Sequence, residues 1–408
     1  MEVQYFTLQN GIRIIHRYNT REIAHCGLII NAGSRDESET QNGIAHFIEH
    51  VIFKGTTKRK AYHVLSRLEN VGGDLNAFTT KEETCIYASF LHQHYERSLE
   101  LFADILFNSV FPEKEINKEK DVVLDEINSY KDSPAEQIFD DFEELLYDGH
   151  PIARNILGIP ETVKSFNKSD ILEFMEQNYH TDQMVISSVG NITFEELIRI
   201  ATKHFGNIKP NFRVKAREKV IHYIPAKKVI VRQNHLAHSV VGNIAYAVDD
   251  DKRLGLVLLN NLLGGPGLNS RLNLALRERH GYAYDIESSY QAYSDTGIFC
   301  IYFGTDPENL SKATAIVQKE LKDLRDKKLG ILQLSRAKTQ IIGQLAISLE
   351  SNVSEMLSNG RRFLQVSEIE SVKEIIRSIN DLTAEQLLEI SNEIFDPKSQ
   401  SALIYNSK

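Results

Sequence analysis

Two histidines and a glutamate share one short stretch of the sequence, in a spacing that suits metal chemistry. His46 and His50 are four residues apart, so on a helix their imidazoles project from the same face and can share one cation. Glu49 directly precedes His50, close enough to take a proton from water at the cation without being a ligand. The stretch His46–His50 therefore predicts a helix that carries two metal ligands and a general base.

The third ligand must come from elsewhere, because a catalytic zinc site usually takes three protein ligands and leaves one position open. Residues 113–131 are predicted to form a helix on which Glu119 and Glu126, seven residues apart, lie on one stripe. Val122 and Val123 lie between them and are predicted to face the core. A glutamate on a buried helix face needs a partner, so we predict Glu126 as the third ligand and Glu119 as a catalytic residue beside the ligands.

The stretch Gly43–Thr56 (GIAHFIEHVIFKGT) resembles the active-site helix of the pitrilysin-type zinc peptidases, family M16, which carry the inverted His-x-x-Glu-His motif. In that family a ligand glutamate follows the second histidine by about 76 residues, and another important glutamate precedes that ligand by seven. Glu126 and Glu119 stand at these distances. The resemblance covers nearly the whole chain and is greatest to the short, two-domain members that are similar to processing peptidases. It implies an α+β fold of two homologous domains, each a mixed or antiparallel sheet packed by helices.

Two further segments resemble substrate-binding parts of this family. Residues 72–79 (GGDLNAFT) resemble its edge strand, which binds an extended peptide through backbone hydrogen bonds and therefore implies broad specificity. The candidates on this strand are Asn76, Ala77 and Phe78. Arg277 and Tyr284 match the Arg-x6-Tyr pair of the family, and the resemblance implies that they hold the substrate and the developing oxyanion.

The elements that position these residues occur twice along the chain. A Cys-Ile-Tyr strand is predicted at 84–89 and again at 299–304, and each follows a helix with Ser-Arg-Leu and a glycine-containing turn. Matching element order at a constant separation predicts a duplication. The second copy has only apolar residues, Asn and Gly where the first has the histidines. The predicted parts are a catalytic zinc-binding domain over 1–208, a linker over 209–228 and a duplicated domain without the motif over 229–408.

The composition of the chain limits which binding partners and which cellular compartment are expected. The net charge of −9 gives no general reason to bind nucleic acid or an anionic membrane, and no apolar stretch is long enough for a spanning helix. Three cysteines without a C-x-x-C pair predict neither a disulfide framework nor a cysteine metal site. We therefore expect a cytoplasmic protein that binds neither nucleic acid nor membranes.

Together these features predict a zinc metalloendopeptidase with one Zn²⁺ per chain that hydrolyses unfolded peptides or oligopeptides. Glu49 is expected to take a proton from water that zinc activates and to pass it to the leaving amine. Two alternatives stay open: a non-catalytic core-type subunit of the same fold, and a peptidase subunit that needs a different partner chain. Larger relatives join four such domains, whereas 408 residues supply two, so a homodimer is expected.

Overall fold

A computed structural model describes residues 3–407 and divides the chain into two compact units. The first unit comprises the chain up to Asn128, Arg154–Glu218 and Ile347–Ile369, and the second comprises Ser129–Ala153, Lys219–Ala346 and the chain from Glu370 onward. Each unit contains one sheet that is covered by helices. The predicted α+β fold is confirmed.

The strands of the first unit are β1 (Gln4–Thr7), β2 (Arg13–Tyr18), β3 (Ile23–Ile30), β4 (Asp74–Thr79), β5 (Thr84–Leu91) and β6 (Met184–Gly190). Those of the second are β7 (Lys227–Arg232), β8 (Ala237–Ala245), β9 (Ala283–Ala292), β10 (Gly297–Thr305) and β11 (Ser401–Ser407). The two sheets have the orders β1-β2-β6-β3-β5-β4 and β7-β11-β8-β10-β9.

The helices complete both units. They are α1 (Ile44–Val51), α2 (Ala61–Glu69), α3 (Tyr95–Phe107), α4 (Glu113–Lys131), α5 (Pro134–Leu146), α6 (Pro160–Ser165), α7 (Lys168–Asn178), α8 (Phe194–Phe205), α9 (Arg253–Gly264), α10 (Leu310–Asp326), α11 (Ile331–Ser348), α12 (Asn352–Val366), α13 (Val372–Asp381) and α14 (Ala384–Ile394). A short π-helix spans Asn273–Glu278. Within residues 3–407, none of the helices combines the length and the apolar character needed to cross a bilayer.

The two sheets share one arrangement of strands, as a duplication predicts. In the first, β2 pairs parallel with β6, which continues antiparallel through β3 to β5 and β4. In the second, β7 pairs parallel with β11, which continues antiparallel through β8 to β10 and β9. The strands β4 and β9 are therefore equivalent edge strands, and α1 and α9 precede them in the same position.

The first sheet is buried on both faces, so its central strands are nearly continuous apolar runs. One face packs on the large core that includes α1, α3 and α8. The other face, with Ile15, Ile29 and Val185, packs against Phe363 and Leu364 of α12. The Ser187 hydroxyl also donates to the carbonyl of Met356 in α12 at 2.6 Å.

A helix from a distant part of the sequence thus completes each unit, since α12 covers the first sheet and α5 covers the second. The predicted domains, 1–208 and 229–408, are contiguous segments, so they assign α5 to the first domain and α12 to the second, whereas each helix packs in the other unit. The unit to which each helix belongs depends on tertiary packing, which the periodicity of the local sequence does not reveal.

Gly360 of α12 is a test of this packing. A Cβ at that position would lie 2.3 Å from Ile29 Cδ1 and 2.7 Å from Ser187 Cβ. Gly360→Val is therefore expected to lower the free energy of unfolding by about 3 kcal/mol, the upper range for overpacking. Gly343→Val in α11, where no atom lies within 4 Å of the added Cβ, is the matched control and should change it by less than about 0.5 kcal/mol. Urea unfolding measures both, and equal midpoints for the two variants would contradict this packing.

Candidate metal centre and active site

The His46–His50 motif lies on α1, an eight-residue helix. Five apolar residues anchor this helix, and all of them are buried in the core of the first unit: Ile44, Ala45, Phe47, Ile48 and Val51. The remaining face carries His46, Glu49 and His50. The predicted helix and the predicted common face of the histidines are both present in the structure.

The two histidines converge on a carboxylate of α4. Glu126 Oε2 lies 3.7 Å from His46 Nε2 and 3.5 Å from His50 Nε2. The donor atoms of the three residues all lie within 4.8 Å of one another, and no other such group of His, Cys, Asp or Glu occurs among residues 3–407. Zinc bonds of about 2.0–2.2 Å separate tetrahedral ligand atoms by about 3.3–3.6 Å. This donor set therefore fits a zinc ion.

Burial keeps His46 in the neutral form that a metal ligand requires. Desolvation, together with the neighbouring His50, lowers the pKa of His46 to about 4. The imidazole is therefore neutral at physiological pH, which leaves a nitrogen lone pair for a cation. Among the described residues the buried Nδ1 of His46 has no hydrogen-bond partner.

Glu119, predicted as catalytic, contacts the candidate ligand His50. Its Oε2 lies 3.3 Å from His50 Nδ1, and its Oε1 lies 2.6 Å from Lys54 Nζ. A carboxylate at Nδ1 orients the ring and leaves Nε2 for the metal. The structure therefore gives Glu119 a positioning role, and Lys54 is a partner that the sequence analysis missed.

One part of the α4 prediction is wrong. Val123 is buried in the core, but Val122 is 48% exposed, because residue 122 lies at the solvent border of the buried stripe. Glu126 lies at the same border, and its side chain is 41% exposed. An exposed position suits a catalytic ligand better than a buried one, since substrate and water must reach the cation.

Glu49 lies between the histidines and the edge strand. Burial raises its pKa, and Glu126 adds to the rise, whereas the Thr79 hydroxyl and His50 oppose it. A carboxylate with a raised pKa is a stronger base toward water than an ordinary glutamate. Thr79 is the last residue of β4, so the base is close to the strand on which the candidate substrate residues lie.

The three β4 candidates do not present their side chains in the same direction. Ala77 packs against the core that contains α1, whereas the ring of Phe78 packs against Tyr87 with centroids 6.0 Å apart and belongs to the core on the α12 side. The amide of Asn76 donates to Asp74 at 2.8 Å. The Asn76 and Phe78 side chains thus already have partners, which favours contact with a peptide through the backbone of these residues.

Arg277 and Tyr284 lie in the second unit, so they belong to a different unit from the ligands. Arg277 is part of the π-helix, a rare element that is often found at functional sites, and its nearest ionic partner is Glu278 at 4.0 Å. Tyr284 is 79% exposed on β9. Neither side chain is buried in a core.

Comparison with known proteins gives a consistent family assignment. Residues 13–159 match the family described as Insulinase (Peptidase family M16), and residues 165–341 match Peptidase M16 inactive domain. The chain is 35% identical over 404 residues to a Bacillus subtilis protein named Uncharacterized zinc protease YmxG, with 98% of both chains covered. It is 31% identical to a Rickettsia felis protein named Uncharacterized zinc protease, with 97% of this chain and 96% of that protein covered.

Two solved structures share the fold. A protease from Helicobacter pylori superposes with a TM-score of 0.90 at 23% identity and covers 100% of this chain and 99% of its own. The peptidase M16 inactive domain from Pseudomonas fluorescens gives a TM-score of 0.93 at 19% identity, with 100% and 98% covered. Because full-length relatives, both matched segments and the His-x-x-Glu-His motif agree, the chain belongs to peptidase family M16.

Proposed function

We propose that this protein is a zinc-dependent metalloendopeptidase that hydrolyses unfolded peptides or oligopeptides. The convergence of His46, His50 and Glu126 beside the buried carboxylate of Glu49 carries the proposal. The full-length relatives named zinc proteases support it.

Each residue of the site has a distinct task in this reaction. When bound to His46, His50 and Glu126, zinc supplies the Lewis acidity that activates water and polarises a carbonyl. Glu49 accepts a proton from the attacking water and donates it to the leaving amine. Glu119 keeps the His50 ring oriented so that its Nε2 faces the ligand cluster.

Substrate recognition is proposed to use the outer edge of β4. Among the described residues β4 pairs with β5 on one side only, so its other side offers backbone groups to an extended peptide. Only an unfolded segment can adopt that conformation, which favours peptides over folded proteins. Arg277 and Tyr284 are proposed to donate hydrogen bonds to the substrate and the developing oxyanion, a task for side chains that are not committed to a core.

Two other functions were open at the sequence level, and activity of the purified chain separates them. The test is cleavage of a mixed peptide library, with a chelator and with zinc restored as controls. A chain that binds no zinc and cleaves nothing would be a non-catalytic subunit. A chain that binds zinc and cleaves only after a second protein is added would be a subunit that needs a partner. The ligand set itself favours an enzyme, because three protein ligands leave a fourth zinc position for water or substrate, whereas structural zinc sites are closed.

A homodimer, cytoplasmic location and a lack of nucleic-acid and membrane binding complete the proposal. The net charge of −9 supports the last two points. The dimer would join four domains, the number that larger relatives carry in one chain, and each metal site would work with Arg277 and Tyr284 of the other chain.

The metal assignment predicts the effect of one ligand change. Glu126→Gln is expected to lower the zinc content from about one ion per chain and to weaken zinc affinity at least tenfold, since even partners outside the ligand set affect affinity by about 10–100-fold. Metal analysis after dialysis measures this. Glu113→Gln, on the first turn of the same helix, is the control, and a full complement of zinc in Glu126→Gln would contradict the assignment.

The base assignment predicts a variant that keeps its metal. Glu49→Gln should lower kcat by about 10²–10⁴-fold, the usual contribution of a general base, while zinc content and peptide binding remain. The exposed Glu69→Gln should behave like the parent. Turnover of the peptide library by Glu49→Gln within tenfold of the parent would show that another group is the base.

The dimer predicts complementation between two inactive chains. Glu49→Gln chains mixed with Arg277→Ala chains should recover about a quarter of the parent activity at full exchange, because half of the dimers are mixed and each has one intact site. Subunit exchange is followed with fluorescent labels. No recovery despite exchange would mean that Arg277 acts within its own chain or takes no part. A monomer by light scattering at micromolar concentration would contradict the dimer itself.

A further inference from the structure

The metal-binding helix lacks a capping side chain of its own. It begins after Gly43, which has a left-handed φ of 93° and no side chain to accept a hydrogen bond. The first amides of any helix have no partner inside it. In a helix of eight residues these amides are a large share of the hydrogen bonds, and a short helix is not stable by itself.

A buried glutamate from an earlier part of the chain provides the missing acceptor. Glu37 Oε2 accepts from the Gly43 amide at 2.8 Å and from Asn42 Nδ2 at 3.1 Å, and Glu37 Oε1 accepts from the Ala45 amide at 2.9 Å. Glu37 is buried and follows a short 3₁₀ turn at Ser34–Asp36. When the carboxyl group is ionised, its negative charge is also favourable at the amino end of a helix.

The segment that follows α5 closes the opposite side of the helix start. A Cβ at Gly158 would lie 2.5 Å from the Asn42 carbonyl oxygen and 2.7 Å from Gly43 Cα. Thr162 Oγ1 donates to the same carbonyl at 2.6 Å, and Arg154 Nη1 donates to the backbone carbonyl of Glu37 at 2.5 Å. The backbone at 42–43 therefore has little freedom to move.

This anchoring is directly connected to the ligands. The Ala45 amide that Glu37 binds belongs to the residue before His46, and His50 follows one helical turn later. Glu126 is on α4 and does not move with α1. A small shift or rotation at the start of α1 would therefore change both imidazole–carboxylate distances together.

We propose that Glu37 is a positioning residue of the metal centre, whose carboxylate fixes α1 so that His46 and His50 meet Glu126. This inference rests on the metal site of the proposed function.

The chemistry of the contact requires two accepting oxygens. In Glu37→Gln one oxygen becomes an NH₂ group, and in either orientation it faces an N–H donor, because donors approach both Oε1 and Oε2. Burial raises the pKa of Glu37 to about 8, whereas the Ala45 and Gly43 amides, Asn42 and Arg154 oppose the rise. At pH 8.5 most Glu37 carboxyl groups are therefore ionised, so measurements at this pH compare the glutamine mainly with the carboxylate.

The test measures metal affinity and ligand geometry without using activity. Zinc affinity is determined by competition with a chelator, and the absorption spectrum of the Co²⁺-substituted protein reports the arrangement of the ligands. Glu37→Gln is expected to bind zinc at least tenfold more weakly than the parent, in the range of about 10–100-fold for groups that orient ligands, and to show an altered Co²⁺ spectrum. Glu39→Gln removes the same charge from an exposed position two residues away and should match the parent in both.

Parent affinity together with an unchanged Co²⁺ spectrum in a folded Glu37→Gln would overturn the inference, even if its melting temperature fell. If Glu37→Gln does not fold, Asn42→Ala decides the question, because it removes one donor to Glu37 and leaves the carboxylate and both amides. It should weaken zinc binding at least twofold, and unchanged affinity would overturn the inference. A parent chain that binds no zinc would instead overturn the metal site itself, together with this inference.

Discussion

The approach of Glu126 to two imidazoles, at 3.5 and 3.7 Å, is the constraint on which the rest of the site depends. It joins a buried side chain of α1 to a half-exposed one of α4, so each helix must be held by something other than this contact. The core of the first unit holds α1 through its apolar face, and α4 is held by Ile116, Val123 and Ile127. A neighbouring residue then binds the imidazole nitrogen that does not face the ligand cluster, as Glu119 binds Nδ1 of His50.

The sequence predicted the parts of the site that depend on local periodicity. The four-residue spacing of His46 and His50 requires only a helix, and the strands β4 and β5 follow from alternation and an intervening turn. The helical stripe offered Glu119 and Glu126 as candidates, and the resemblance supported Glu126 as the ligand through its distance from His50. The exposure of Val122 was not predicted. Two glutamates seven residues apart define one line along the helix, but they do not show which side of that line faces solvent. Lys54 lies just beyond α1, and its contact with Glu119 is purely tertiary.

Two larger features were not predicted. The helices α6 and α7 are short, but each has a start signal in the sequence that could have identified it: Pro160 begins α6, and Asn167 caps α7. The helices α5 and α12 each pack in a different unit from their neighbours in sequence. Only tertiary packing determines this, because the amphipathic pattern of a helix does not indicate which sheet it covers. The equivalence of the two sheets, by contrast, was visible in the repeated Cys-Ile-Tyr strands. The same fold carries ligands on α1 and apolar residues on α9, which shows that the site is an addition to the fold rather than a consequence of it.

The late position of α12 in the sequence also determines the order in which the protein can fold during synthesis. When residue 218 leaves the ribosome, β1 to β6 are all present, but the face with Ile15, Ile29 and Val185 has no cover until α12 follows. At about 5–20 residues per second that interval lasts roughly 7–30 s. During this time an apolar sheet face is exposed to other nascent chains. Completion of the first unit is therefore a late event in synthesis, because its sheet is covered on both faces only after α12 has been made.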